Sequence, residues 1–384
     1  MKEKTLHLMF LVLSVELVIL VYIINHFLSR PCIPSGHTVE IYKGLKKPNA
    51  RIKLCQDAEF EIVKPIGFNK PNQKIFTEGY PTDNHRALIR ISSPDISLAI
   101  NAYNADGASI KNIQVDGNRK KLGHLKSHGL IIMGGNVDQQ EISYVKAFDS
   151  RSWTTLHINW GNFYTHGDGS IRTHCSGIKV LNNEIGPSGE TEEGQWSDGI
   201  SVQCGDTLVK DNLITGVTDG GIVLFGASGS RIVNNRITAG SDPMMLGIGM
   251  VDYQDYKGNY TDVIVANNII VAADGFISTG IAMGSRAWHC PLPAFHILNY
   301  GATVKDNLLM GDHFGYGLVV NGVKNWVVRG NKVTAKFSGK PSDTCGTENA
   351  PPGAFVIDNK NSFGEFQSEF VSGHLEKIYD LEVL

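Results

Sequence analysis

Six short phrases of one design recur along the chain. They are IKVLNNEI (178–185), TLVKDNLI (207–214), RIVNNRI (231–237), VIVANNII (263–270), ATVKDNLL (302–309) and WVVRGNKV (326–333). In each, an Asn stands two residues before an apolar side chain: Asn183, Asn212, Asn235, Asn268, Asn307 and Asn331. A second phrase, Gly followed by an aliphatic run, interleaves with the first. It reads HGLIIMG (128–134), DGISVQ (198–203), GGIVLF (220–225), LGIGMV (246–251), TGIAMG (279–284) and YGLVVNG (316–322). Self-similarity at a period of roughly 20–50 residues is the mark of a solenoid. The apolar residues alternate, as Ile200 and Val202 or Ile222 and Leu224 do, which is the period of a strand. One such unit cannot bury its apolar face alone, whereas stacked units bury a continuous interior.

A strand whose successor lies one coil later must pair with it in parallel. The repeated Asn also acts locally, because it tolerates the left-handed backbone region and its amide can bond along a stack of bends. The spacings of 29, 23, 33, 39 and 24 residues imply coils carrying loops of different length, with insertions expected at 240–262, 284–301 and 335–354. The 42 Gly among 384 residues, with only 19% charged side chains, suit many tight turns between short strands. A twisted β-sandwich is the competing all-β reading, but it gives no reason for six matching Asn phrases. A net charge of −3 without a basic stripe argues against nucleic acid as a partner.

The N-terminus breaks this texture. Residues 6–28, LHLMFLVLSVELVILVYIINHFL, carry one acid, Glu16, and about 20 apolar residues are enough to cross a bilayer as a helix. Lys2 and Lys4 precede the segment and no small-residue cleavage site closes it. Residues 1–30 therefore read as a cytosolic stub and single-pass signal anchor, with the remainder extracellular or in the secretory lumen. A cleaved signal peptide releasing a secreted protein is the alternative. Residues 31–54, including the basic GLKKPNARIK (44–53), read as a solvated linker, 55–370 as the solenoid, and 371–384 as a C-terminal cap or tail. Six cysteines (Cys32, Cys55, Cys175, Cys204, Cys290 and Cys345) without a CxxC spacing argue for disulfides over a metal site, with Cys32–Cys55 and Cys290–Cys345 as guesses at the pairing. NYT at Asn259 is a glycosylation sequon.

The solenoid phrases, with VDGNR, SDGIS, TDGGIV and GNYT, resemble the pectin-lyase-like superfamily over roughly residues 55–370, and are similar to a group of fungal and bacterial β-helix proteins. The resemblance implies an all-β, right-handed parallel β-helix and a tendency to act on polysaccharides. It does not fix a reaction, since one fold hosts many.

Asp198 stands two residues before Ile200 and Asp219 three before Ile222. Stacked strands lie ~4.8 Å apart, so the two carboxylates are expected about 5–9 Å apart, the range glycosidases use. One protonated acid would donate to a leaving oxygen, and the other, ionised, would activate water or attack. The competing role is turn chemistry, since Asp before Gly commonly bonds backbone amides. The pair also resembles that of polygalacturonase-type glycoside hydrolases, whose NTDGI phrase is followed one coil later by GDDxI. That resemblance matches Asp198 to the first phrase and implies Asp219 as proton donor. Where the family has its second acid this chain has Gly220, and the family's GHG and RIK elements are absent from the coils that follow. Asp252 is a third acid candidate on the next coil.

Trp196, Tyr253, Trp153 and Trp160 are candidate sugar platforms, against the plainer reading of packing. His128, His157, His166 and His174 are scattered, and each reads more simply as structural. Arg151 or Lys146 as the base of a lyase is a weaker possibility, and no Asp/Glu set has calcium-like spacing. No cofactor or metal is expected. The functional expectation is a monomeric, membrane-anchored glycoside hydrolase acting on a polysaccharide. A lyase or epimerase on uronates is the second enzyme reading, and a non-catalytic glycan-binding or structural solenoid the reading from another class.

Overall fold

A computed structural model describes residues 31–191, 195–251, 256–285, 287, 297–338 and 353–373. Residues 1–30, expected to form a transmembrane anchor, fall outside the described residues; among those described, no helix is long and apolar enough to cross a membrane.

The described chain is a parallel β-helix in which each full coil contributes strands to three stacked sheets, the second and third joined through the long strand Leu308–Val320. In the first sheet one interior column runs Ile52, Ile75, Ile110, Ile142, Val180, Val209, Ile232, Val265, Val304 and Val328, each paired in parallel with the next. In the second sheet the column runs from Phe60 through Ile89, Val115, Ala147, Ile185, Ile214, Ile237 and Ile270 to Leu309. In the third, the Gly-aliphatic phrases stack as Ile131, Leu156, Ile200, Ile222, Ile248, Ile281, Leu318 and Phe355. All three columns belong to one hydrophobic core. Each fully buried aliphatic side chain contributes about 1.5–3 kcal/mol, so the stack is held chiefly by this column.

The six Asn phrases sit at the bend between the first and second sheets. The left-handed residue is the one before each stacking Asn, not the Asn itself as expected: Asn182, Asp211, Asn234, Asn267, Asp306 and Gly330 have φ between 54° and 67°. Few residue types adopt that backbone at low cost. Each buried Asn then donates through Nδ2 to Oδ1 of the next, at 2.9, 2.9, 3.0, 2.9 and 2.9 Å, and the ladder ends on Gln367 Oε1 at 3.2 Å. The second Nδ2 hydrogen reaches interior carbonyls such as Val180 O and Val209 O.

Residues 31–54 are part of the folded body, which corrects the linker reading. The helix Thr38–Gly44 closes the first coil with Ile41 buried in the core, and Leu45 beyond it is buried there too. The strand Arg51–Leu54 pairs with Lys74–Thr77. The charges of this segment face outward while Ile52 and Leu54 face in, an alternation too short to stand out in the sequence. Cys32 bonds Cys55, as expected, and Cys175 bonds Cys204 on the next coil. Cys290 and Cys345 lie outside the described residues. Of the expected insertions, 240–262 contains a regular strand of the third sheet, Met244–Val251. Strand Val371–Ser372 pairs with Phe355–Ile357, so the solenoid continues to the last described residues.

Candidate active site

The strand Asp198–Val202 turns Ile200 and Val202 inward. Gly199 precedes them at a corner where a Cβ would lie 2.5 Å from Gly221 O and 2.9 Å from Ile214, so only glycine fits. That corner leaves Asp198 on the face it shares with Ser201, away from the core. Its Oδ2 accepts a 2.7 Å hydrogen bond from the Ser201 hydroxyl, and its Oδ1 a 2.9 Å bond from the Gly220 N–H on the following coil. Ser201 Oγ also lies 2.8 Å from Thr154 Oγ1, on the preceding coil. Asp198 is only 4% exposed.

Because Ile200 pairs with Ile222, the residue opposite Asp198 is Gly220, and Asp219 sits one position earlier. The Asp219 N–H donates to Ser197 O. Its side chain is half-buried, but its Oδ1 is enclosed and has no hydrogen-bond partner among the described residues. Burial pushes Asp219 well above the usual carboxylate range, and the neighbouring Asp198 charge pushes it further. Burial also pushes Asp198 up to about 7, against the two hydrogen bonds that favour its ionised form. The pair is coupled, so ionising one acid raises the cost of ionising the other. Asp198 has donors to hold a negative charge and Asp219 Oδ1 has none. Asp219 is therefore the harder of the two to ionise.

Around the pair the register assembles groups that the sequence leaves scattered. His157 pairs with Ser201 across the sheet, lies 2.7 Å from Gln203 Oε1 through Nε2, and is pushed down by burial to about 4, so it is neutral at physiological pH. Trp153 accepts the Asp198 N–H on its carbonyl at 2.8 Å. Trp153 is 36% exposed, and its ring meets His157 edge-on at 4.8 Å. Trp196, two residues before Asp198, is half-buried. The structure thus brings Asp219 and Trp153 beside Asp198, whereas Trp196 is its neighbour along the chain. Thr154, Ser201, His157 and Gln203 join them through cross-coil register, which no local motif encodes.

Trp160 does not join them. It lies past the far end of the strand Thr154–Asn159, about 20 Å along the chain at ~3.3 Å per residue. There it packs on Phe163 at 5.8 Å, which meets Tyr256 edge-on. Asp252 and Tyr253 lie outside the described residues. Asn259 is fully buried, donates to Ile171 O at 3.2 Å and accepts from the Thr261 N–H at 3.0 Å. That geometry opposes the glycosylation expectation, because the folded chain leaves no room for a glycan on this amide. Arg151 is also buried, its guanidinium bound to the carbonyls of Gly123, Ser93, Ile96 and Leu122, so it pins loops and is unsuited to act as a base.

No family model matches the sequence, and no curated protein is significantly similar to it. Solved structures do match. An alginate lyase from Paenibacillus sp. str. FPU-7 is 14% identical, over 86% of this chain and 95% of that one, with a TM-score of 0.52. The tailspike protein of E. coli bacteriophage HK620 is 13% identical, over 89% and 64%, at 0.51. The catalytic unit of a GH87 alpha-1,3-glucanase from Streptomyces thermodiastaticus strain HF3-3 is 13% identical, over 89% and 66%, at 0.51. These are likenesses of fold.

Proposed function

We propose that this chain is a carbohydrate-active enzyme, a glycoside hydrolase acting on a polysaccharide laid across the outer face of the third sheet. The observation that carries the reading is the Asp198/Asp219 pair: carboxyls from neighbouring coils, Asp198 buried and Asp219 half-buried with its Oδ1 enclosed, both pushed upward, that cannot readily ionise together. That is the electrostatic requirement for one acid and one base at the same pH.

In this reading Asp219 gives its proton to the glycosidic oxygen as the C–O bond breaks. Asp198 takes a proton from a water whose oxygen bonds the anomeric carbon, or attacks that carbon itself to give a glycosyl ester that a water, deprotonated by Asp219, then hydrolyses. Each carboxylate oxygen retains a second lone pair beside its bond to Ser201 or Gly220. The rings of Trp153 and Trp196 would flank the sugar. The two disulfides support an oxidising compartment, and residues 6–28 would tether the body to a membrane with the β-helix extracellular or luminal. Release after cleavage is the alternative.

The test is a polysaccharide panel presented to the full chain in detergent, reading new reducing ends and unsaturated products separately. Reducing ends without unsaturation, lost in Asp219→Asn, support the reading. Unsaturated products would replace it with a uronate lyase, and binding without turnover with a non-catalytic solenoid.

A further inference from the structure

The first coils carry a separate chemistry on the outer face of the first sheet. Register stacks Arg51, Lys74, Ser109 and Glu141 in one outward column, and Lys53, Phe76, Lys111 and Ser143 in the next. Residues of both columns line a cavity of about 500 Å³. A second cavity of about 810 Å³ shares Arg51, Phe76 and Tyr80 with it and adds Lys43, Lys47 and Lys53. The basic segment noted in the sequence is thus one wall of a continuous groove.

The groove has surplus positive charge. Lys53 pairs with Glu78 and Lys111 with Glu141, each at 2.7 Å. Among the described residues, Lys43, Lys47, Arg51 and Lys74 form no ion pair. The groove also has flat aromatic surface. Phe76 and Tyr80 stack in parallel with centroids 5.0 Å apart, and Arg51 lies over the Phe76 ring at 5.2 Å. Tyr80 is 48% exposed and Tyr144 40%.

Two further observations point to a ligand. Ser109 is 5% exposed, lines the cavity between Lys74 and Glu141, and its hydroxyl has no hydrogen-bond partner among the described residues. An enclosed unpaired hydroxyl is unfavourable until something bonds it. Tyr144 occupies the left-handed bend position, φ 56°, that later coils give to Asn182, Asp211, Asn234, Asn267, Asp306 and Gly330. A bulky residue is disfavoured there. Tyr80 is strained in the same way, at φ 54°. The fold does not require an aromatic at Tyr144, and strain that packing does not explain points to function.

We infer that this groove binds an acidic oligosaccharide of uronate type, apart from the Asp198/Asp219 site. Carboxylates would meet Arg51, Lys74 and the neighbouring lysines, sugar faces would lie on Tyr80 and Tyr144, and a ring hydroxyl or carboxylate would complete Ser109. A concave groove with stacked aromatics suits a sugar chain rather than a flat anionic lipid surface. If the hydrolase reading holds, the groove retains the polymer near the enzyme; its binding is read without turnover and stands independently of that reading.

The test is calorimetric titration of the full chain in detergent with hexa-galacturonate, hexa-mannuronate, the methyl ester of the former, and glycerophosphoserine. At least one uronate oligomer should bind, with affinity falling as salt rises, and the ester at least tenfold more weakly. Arg51→Gln should weaken binding about tenfold. Tyr144→Asn restores the residue type of the other coils, so its melting temperature should hold or rise while binding falls about tenfold. The inference is overturned if neither oligomer binds, if the ester binds equally, if both variants bind like the parent, or if glycerophosphoserine displaces the sugar.

Discussion

Two buried columns of polar side chains run along this solenoid, and they behave in opposite ways. In the bend between the first and second sheets, six asparagines hand one hydrogen bond to the next and each amide is satisfied. On the third sheet, Asp198 and Asp219 occupy adjacent coils, and an oxygen of Asp219 has no partner among the described residues. The coils pair in parallel in both places, but Asp219 sits one position before the residue opposite Asp198, and the chemistry of the groups differs as well. An amide both donates and accepts and can be stacked without limit, whereas an ionised carboxylate only accepts. A pair of stacked carboxylates is tolerable when one keeps its proton. The fold thus uses one repeat to build a stable seam in one place and a poised acid pair in another.

Exchanging the two chemistries should have opposite consequences. In the hydrolase reading, Asp219→Asn removes the proton donor and should lower kcat by roughly 10²–10⁴, measured on whichever polysaccharide the panel identifies. The same change relieves the pair and should leave the fold at least as stable at neutral pH. Asn235→Asp does the reverse. It places a charge inside the amide ladder and should destabilise by about 3 kcal/mol or more at pH 7, read by denaturant unfolding.

The Cys175–Cys204 bridge ties the turn after the Asp198 strand to the turn one coil earlier, at a sequence separation of 29. Replacing both with Ser should cost about 3 kcal/mol in the same assay.

The pH dependence sharpens the contrast further. Asp198 is raised from 3.8 in an unfolded chain to about 7, so between these values the folded state binds more protons than the unfolded one. Its contribution to stability is therefore favourable below about pH 4 and is lost as pH rises toward 7. Asp198→Asn should flatten that slope, whereas Asn235→Ala should lower the whole curve without changing its shape. The smallest effect is expected from Ser201→Ala. It removes a hydrogen bond that favours ionised Asp198, so the acidic limb of the activity profile should move to higher pH by about one unit or less.

The same division separates what the sequence makes legible from what it hides. The ladder can be read because two local signals coincide in each phrase, a left-handed Asn, Asp or Gly followed by the stacking Asn. The interior columns are legible from alternation. The positions of Asp198 and Asp219 are legible relative to Ile200 and Ile222, but their hydrogen bonds to Ser201 and the Gly220 amide arise from side-chain direction at the Gly199 corner. His157 and Gln203 join the site through pairing of strands 46 residues apart, which no short motif records. The segment 31–54 reads as a linker because one helix and one strand of four residues leave too short a pattern. Tyr144 is hidden because it occupies a bend position that its residue type disfavours.

The most direct test is a titration of the aspartate side-chain carboxyls by ¹³C NMR in the wild-type chain and in Asp219→Asn. Two carboxyls should still be protonated at pH 6 in the wild-type chain; one of them, Asp219, should disappear in the variant, and the other, Asp198, should titrate near 7. Two carboxyls that both ionise near 3.8 would contradict the poised pair.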